Sequence, residues 1–405
     1  MDSYIVFTVC NYAYLPRARV LARSLMQHSG VRLKIVLFEN KSADAIELPC
    51  CDLIWVEDLE VPDWRRLAFR YDIIEFSTSL KPWIALRLLK TAERVIFLDP
   101  DTCLFGSVDP VLQDLDQHWI VLTPHYTTPQ PPDPGESDLG MMKFGSFNLG
   151  FFAVKGCDAT QAFLSWWSRR CIDFAFMEAQ FGLSTDQKWV TIAPCLFPGM
   201  FTSFNLGYNV APWNSFERRI EFLPDGTGVV NKTYPLVFFH FSNFDAGDPE
   251  YLKKRASSER GERRPDLKRL GEQYSEELRR MHLPLAERPY SFDYFSDGSY
   301  ISPALRRAFN AVEHELALTE DPFEAEGVVG KFARQNFLLQ KGNAVYRRQG
   351  YADAQRNGRI LGLLIAMMKI VLRVVGPNRF HNLCRLMVYL SSTRQLKQMW
   401  KLESR

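Results

Sequence analysis

The chain has 405 residues, 46% hydrophobic, 13% aromatic and 24% charged, a globular composition long enough for two or three domains with ample core. Its eight cysteines form no CxxC pair and no zinc-ligand spacing, which excludes a zinc module and reads as reduced, mostly buried thiols of a cytoplasmic protein. The net charge of +2 is unevenly spread: residues 346–405 hold twelve Lys and Arg against Asp353 and Glu403, a surplus of +10, leaving −8 on the first 345.

The opening "MDSYIVFTVC" has an early acid and no basic region before its apolar run, so it reads as a first strand and not as a secretory signal. Strands are expected at 4–9, 33–38, 52–56, 94–98 and 119–123. Their near-continuous apolar character suits parallel strands covered on both faces. Helical spacing marks 16–28 and 81–92, the second with Pro82 in its first turn. This alternation implies an α/β domain, with ligands gathering at the carboxyl ends of strands. Residues 124–140 hold five prolines and two glycines and read as a long loop. After about residue 250 the pattern turns to charged helices, "DLKRLGEQYSEELRRM" and "PALRRAFNAVEHELAL", followed by an apolar helix from 358 that Pro377 stops. The expected organisation is a domain over 1–250, a helical accessory region over 251–345 and basic amphipathic helices over 346–405.

The stretch "VIFLDPDTCLF" runs four apolar residues into Asp99 and Asp101, held one residue apart around Pro100. Alone, an Asp-x-Asp after a strand is an ordinary turn. Two carboxylates at that spacing can also face one divalent cation that bridges a diphosphate, since such ions take hard oxygen ligands. A neutral imidazole completes a Mn²⁺ site, because manganese accepts oxygen and nitrogen together. His240, in "LVFFHFSNFDAG", is the best placed of the seven histidines, following an apolar strand and preceding a turn.

Five segments in order carry a resemblance over roughly residues 3–245. "RVIFLDPDTCLF" resembles the DxD segment of nucleotide-sugar glycosyltransferases with the GT-A fold, which is Rossmann-like. "YIVFTVCNYAYLPRARVLARSL", "SFNLGFFAVKG", "TDQKWV" and "FFHFSN" are similar to the opening, FNxG, DQ and late HF segments of glycosyltransferase family 8 and its bacterial relatives in cell-surface polysaccharide synthesis. The resemblance implies Mn²⁺ or Mg²⁺ on Asp99, Asp101 and His240, and a nucleotide-diphosphate sugar, a UDP-sugar above all, as donor. It places Thr8, Asn11 and Tyr14 along the nucleotide pocket, Glu39 near the base or ribose, and Lys81 facing the diphosphate. Asn148 and the pair Asp186 and Gln187 would lie near the donor sugar and the reacting carbon. Two departures stand out. After His240 the family's phosphate-holding Gly and Lys are represented by Gly247 and only later by Lys253 and Lys254, and Lys188 replaces the second Asp of DQD.

Asp186 reads equally as a helix N-cap. Trp166 and Trp167 read as packing on an amphipathic helix, Trp213 either as packing or as a stacking platform for an acceptor, and His125 either as an acceptor contact or as a loop histidine without partners that does nothing. The tail from 358 to 380 has no apolar run near the ~20 residues a bilayer span needs. It is either a helical hairpin packed on the protein or an interfacial anchor on an anionic membrane. The expected activity is metal-dependent transfer of a sugar, a hexose foremost, to a glycan or glycolipid acceptor in cell-surface polysaccharide or lipopolysaccharide synthesis, at the inner face of the cell membrane. A nucleotidyltransferase would show a Gly-rich phosphate loop after the first strand, and "TVCNYAYLPRAR" has no glycine. An inactive scaffold is disfavoured by the intact Asp99, Asp101 and His240, and no nucleic-acid recognition motif is present.

Overall fold

The computed structural model describes residues 3–42, 46–129, 137–248, 250–252, 264–316, 320–340 and 358–402. Two compact units result, Met1–Trp64 with Ile73–Ser291, and Arg65–Asp72 with Phe292–Arg405. The expected boundary near residue 250 therefore falls inside the first unit. Helix Pro265–Arg280 is why: Leu267, Leu270 and Tyr274 share a core with Phe239, Phe241 and Phe244.

In chain order the strands are β1 (Ile5–Cys10), β2 (Leu33–Leu37), β3 (Cys51–Trp55), β4 (Arg94–Leu98), β5 (Thr102–Leu104), β6 (Ile120–Pro124) and β7 (Phe147–Lys155). The main sheet runs Phe201–Thr202, β6, β7, β4, β1, β2, β3. Strands β3, β2, β1 and β4 are parallel, as their unbroken apolar runs lead one to expect. Strand β7 is antiparallel to both β4 and β6, so the sheet is mixed and not wholly parallel. Continuous apolar residues report two covered faces, and β7, with eight of nine residues buried, has both; they do not report direction. The sheet flanked by helices is the expected α/β arrangement, followed by a helical C-terminal region.

Helix Leu15–Ser29 crosses from β1 to β2 with Pro16 in its first turn. Gly30 ends it at φ +66°, donating its N–H to the Met26 carbonyl, a left-handed stop that glycine makes without strain. The short strand Phe238–His240 pairs antiparallel with β5, setting His240 opposite Thr102. The end of the Pro-rich stretch differs from expectation, since Ser137–Phe144 is a helix; residues 130–136 lie outside the described set. The thiols also differ in part: Cys10, Cys51 and Cys171 are buried, whereas Cys157 and Cys195 are exposed.

The second unit is helical, with Pro303–Val312, Val328–Gln335, Gly358–Val375 and Pro377–Leu390. Phe69 packs against Phe295, Phe309 and Phe323. The buried Arg306 donates to the carbonyls of Ala68, Phe69 and Tyr71 at 2.7–2.9 Å, satisfying acceptors that a helix end leaves open. Neither tail helix buries a residue. Among the described residues no helix is long and apolar enough to cross a membrane.

Candidate active site

Strand β4 delivers Asp99 at its carboxyl end, and the turn through Pro100 leads directly into β5. Backbone hydrogen bonds fix both acids. Asp99 N donates to the Gly150 carbonyl of β7 at 2.8 Å, Thr102 N to the Asp99 carbonyl at 3.0 Å, and Phe241 N to the Asp101 carbonyl at 2.8 Å. The last bond, with the pairing of His240 and Thr102, sets Asp101 beside His240, 139 positions further along the chain. His240 Nε2 lies 3.1 Å from Asp101 Oδ1 and 3.7 Å from Asp99 Oδ2. Among the described residues, Asp99, Asp101 and His240 form a group of three whose ligand atoms all lie within 4.8 Å of one another.

The donor set fits a divalent cation. Asp101 is only 7% exposed, and a buried carboxylate needs a compensating charge. Two hard oxygens and one imidazole nitrogen suit Mn²⁺ or Mg²⁺. Burial would lower the basicity of His240, but the Asp101 carboxylate, with Asp99 behind it, turns the net shift upward. Burial works on Asp101 in the opposite sense, and His240 overrides it, holding the acid below the usual carboxylate range.

Lys81 stands on the other side of Asp99. Its ammonium is buried, 3.2 Å from Asp99 Oδ1, 3.4 Å from Asp186 Oδ2 and over the Phe97 ring at 4.3 Å. It donates to the Leu149 carbonyl at 3.1 Å. Burial alone would lower its pKa, and the carboxylates of Asp186 and Asp99 more than reverse that. Asp186 is 2% exposed, and burial raises its pKa against the pull of Lys81. Its Oδ2 is close enough to Lys81 for an ion pair but lacks hydrogen-bond geometry among the described residues. Asp186 occupies the position before helix Gln187–Val190 without capping it: its Oδ1 accepts from Thr185 Oγ1 at 3.0 Å, and no cap bond forms. Trp167 donates its indole N–H to the Asp186 carbonyl at 3.0 Å, so the tryptophan pair packs, as its helical spacing implies.

Short contacts therefore link Asp99, Asp101, His240, Lys81 and Asp186, and Asn148 joins them through Asn209, which meets His240. Tyr14 shares its field: burial raises its pKa first, with Asp101 and Asp99 adding to the shift and the Arg17 guanidinium, 4.6 Å over its ring, opposing. Asn11 caps the turn Tyr12–Tyr14, accepting from Tyr14 N at 3.3 Å. Glu39 is buried, its two oxygens accepting from Tyr12 N at 3.1 Å and Ser291 N at 2.9 Å. Thr8 lies inside the sheet, its hydroxyl unpartnered among the described residues. Gln187 spends its amide on backbone, accepting from Leu149 N at 3.1 Å and donating to the Phe144 carbonyl at 3.0 Å. Gly247 accompanies Asp245 in an exposed turn, while Lys253 and Lys254 lie outside the described residues.

Sequence reasoning gave His125 no structural partner and missed Asn209 and Gly150. His125 has partners after all, its Nδ1 lying 3.4 Å from the Ser146 carbonyl and its Nε2 3.5 Å from Asn148 Nδ2. Asn209 stands 3.3 Å from His240 Nδ1. Gly150 leaves the space that the His240 ring fills. The available signal was a lone Asn in the apolar run "LGYNVAPW". Trp213 stands edge-on to His240 with ring centroids 5.2 Å apart.

No protein-family model and no curated protein sequence matches the chain. Among solved structures it is similar to the galactosyltransferase LgtC in complex with donor and acceptor sugar analogs, at 17% identity over 68% of this chain and 100% of that one, with a TM-score of 0.38. It is similar also to the glycosyltransferase GlyE of Streptococcus pneumoniae, at 16% identity over 69% of this chain and 64% of that one, TM-score 0.38. Mouse xyloside xylosyltransferase 1 is similar at 16% identity over 52% and 87%, TM-score 0.34.

Proposed function

We propose that the protein is a divalent-metal-dependent glycosyltransferase that moves a sugar from a nucleotide-diphosphate donor, a UDP-sugar foremost, to a glycan or glycolipid acceptor in cell-surface polysaccharide synthesis. The observation that carries this reading is the convergence of Asp99, Asp101 and His240 at the carboxyl end of β4. A Mn²⁺ or Mg²⁺ ion bound there would act as a Lewis acid toward the diphosphate, whose charge grows as the glycosidic bond breaks.

The chain's own residues would support that chemistry by preorganised charge. Lys81 holds Asp99 from behind, and Asp186 holds Lys81, so the acid pair is oriented before a donor arrives. Arg17 adds positive charge on the Asp101 side and is anchored by donating to the Phe244 carbonyl at 3.2 Å. In this reading Tyr14 and Asn11 border the nucleotide, Glu39 and Thr8 shape its floor, and Asp186 acts near the sugar with Gln187 and Asn148 bracing the wall. Trp213 offers an acceptor a flat apolar face beside His240. The basic tail would hold the enzyme at the anionic inner face of the cell membrane, since residues 358–402 contain eight Lys and Arg and no Asp or Glu.

The test is a thermal-shift panel of nucleotide-diphosphate sugars with and without Mn²⁺, followed by assay of nucleoside diphosphate release. At least one UDP-sugar should raise the melting temperature only when Mn²⁺ is present. A panel without a Mn²⁺-dependent shift or release would overturn the proposal.

A further inference from the structure

We infer that the side chains of Asn209 and Asn148 fix the tautomer of His240, and so decide which ring nitrogen faces the cation; the inference rests on the metal reading above. Each hydrogen-bond direction follows from a backbone group whose role is fixed. Gly150 N–H can only donate, and it meets Asn148 Oδ1 at 3.1 Å. The Asn209 atom 3.0 Å from that same oxygen must then be the amide nitrogen, which also donates to Thr123 Oγ1 at 3.0 Å. The other end of Asn209 is therefore its carbonyl oxygen, 3.3 Å from His240 Nδ1, so Nδ1 carries a hydrogen. Nε2, which faces Asp101 and Asp99, is then the nitrogen that gives up its proton and offers a lone pair when the ion binds.

The far end of the relay gives the same answer independently. The Ser146 carbonyl can only accept, and it lies 3.4 Å from His125 Nδ1, which must be the protonated nitrogen. A neutral His125 then presents Nε2 as acceptor, and the group 3.5 Å away is Asn148 Nδ2, the donor end. Burial holds His125 neutral, its pKa pushed down to about 4. Two backbone groups, Gly150 N–H and Ser146 C=O, thus orient both carboxamides the same way.

The backbone around Asn209 is built to keep it there. Asn209 adopts φ +48°, a left-handed conformation that Asn tolerates better than most residues. Asn214 Nδ2 donates to the Asn209 carbonyl at 3.0 Å, and His240 N donates to the neighbouring Val210 carbonyl at 2.7 Å. Asn209 and Asn148 act through His240 and are positioning residues.

The test uses the full chain, ¹⁵N-labelled at histidine, loaded with diamagnetic Mg²⁺, together with Mn²⁺ titration calorimetry. His240 should show a protonated Nδ1 and an unprotonated Nε2. Asn148→Leu, which suits a strand but removes the oriented oxygen, should weaken Mn²⁺ binding about 10–100-fold, the usual loss when a partner of a metal-bound histidine is removed. Asn148→Asp keeps an oxygen facing Gly150 N–H and Asn209 Nδ2, and with His125 protonated to donate to its second oxygen it should retain binding within a few fold. A His240 protonated on Nε2 in the Mg²⁺ form, or Asn148→Leu binding Mn²⁺ like the parent, would overturn the relay while leaving the metal site standing. A parent chain that binds no Mn²⁺ would overturn both.

Discussion

The imidazole of His240 lies so close to the α-carbon of Gly150 that a β-carbon there would come within 2.3 Å of Cε1 and 2.6 Å of Nδ1. In an ordinary strand Gly→Ala gains about 0.5–1 kcal/mol. Here Gly150→Ala must displace the ring, costing about 1–3 kcal/mol as overpacked cores do. It should also lower Mn²⁺ affinity at least about tenfold, the size of effect seen when a ligand's support is disturbed. Calorimetric titration with Mn²⁺ beside a urea melt checks this, and unchanged affinity would show that His240 is not a ligand.

Asp101 is buried, so its removal exposes no new surface and acts on the charge cluster itself. If the cation binds the native state alone, Mn²⁺ at a hundred times its Kd adds about 2.7 kcal/mol of stability to the parent chain. Asp101→Asn keeps the shape and removes the charge, and it should forfeit most of that gain. Thermal melts of the two chains across a Mn²⁺ series provide the comparison. Equal Mn²⁺-dependent rises would place the ion elsewhere.

Lys81 and Asp186 form a buried pair beside Asp99, 3.4 Å apart, with side-chain exposures of 3% and 2%. Removing one partner of such a pair costs about 3–5 kcal/mol, because the other charge is left buried. Asp186→Asn should fall near the low end, since Lys81 keeps Asp99 at 3.2 Å. Lys81→Met should cost more, stranding Asp186. The double variant should be less destabilised than the two single losses added, the signature of direct coupling. Urea denaturation of all four chains closes this cycle, and simple additivity would deny the pairing.

Much of this arrangement was legible in the chain. The strand before Asp99, the helix that begins at Lys81 and the two tail helices follow from apolar period, Pro82 and Pro377, all local signals. The pairing of Asp99 and Asp101 with His240 came from the order of segments, because no local rule joins residues 141 and 139 positions apart. What stayed hidden depends on direction and on contact. Strand β7 runs antiparallel, which its composition does not encode. Arg306 in "ALRRAF" reads as one more exposed charge on an amphipathic helix, yet it is buried on the carbonyls of residues 68, 69 and 71. Asn209 and His125 acquire meaning only when four separate segments meet.

The tail presents the sharpest contrast in the chain. In helix Gly358–Val375, Ile360, Leu363, Met367 and Ile370 are 55–66% exposed, and in helix Pro377–Leu390, Leu386, Met387 and Tyr389 are 51–63% exposed. Interleaved with them are Arg359, Lys369, Arg373, Arg379 and Arg385, without an acid between 358 and 402. Apolar residues with basic neighbours match a lipid boundary rich in anionic head groups. Each basic residue near such a surface contributes about 1 kcal/mol, so half of the eight would retain the protein at low salt. The two contributions separate by ionic strength. The Debye length falls to about 3 Å at 1 M salt, which removes the electrostatic part and leaves the apolar part. Full-length protein should co-sediment with vesicles containing anionic lipid, bind neutral vesicles less, and elute only partly at 1 M salt. A chain lacking residues 358–405 should stay in the supernatant throughout while still showing its Mn²⁺-dependent thermal shift. Full-length protein that remains in solution with anionic vesicles at low salt would sink the anchor and leave the hairpin as a surface for some other use.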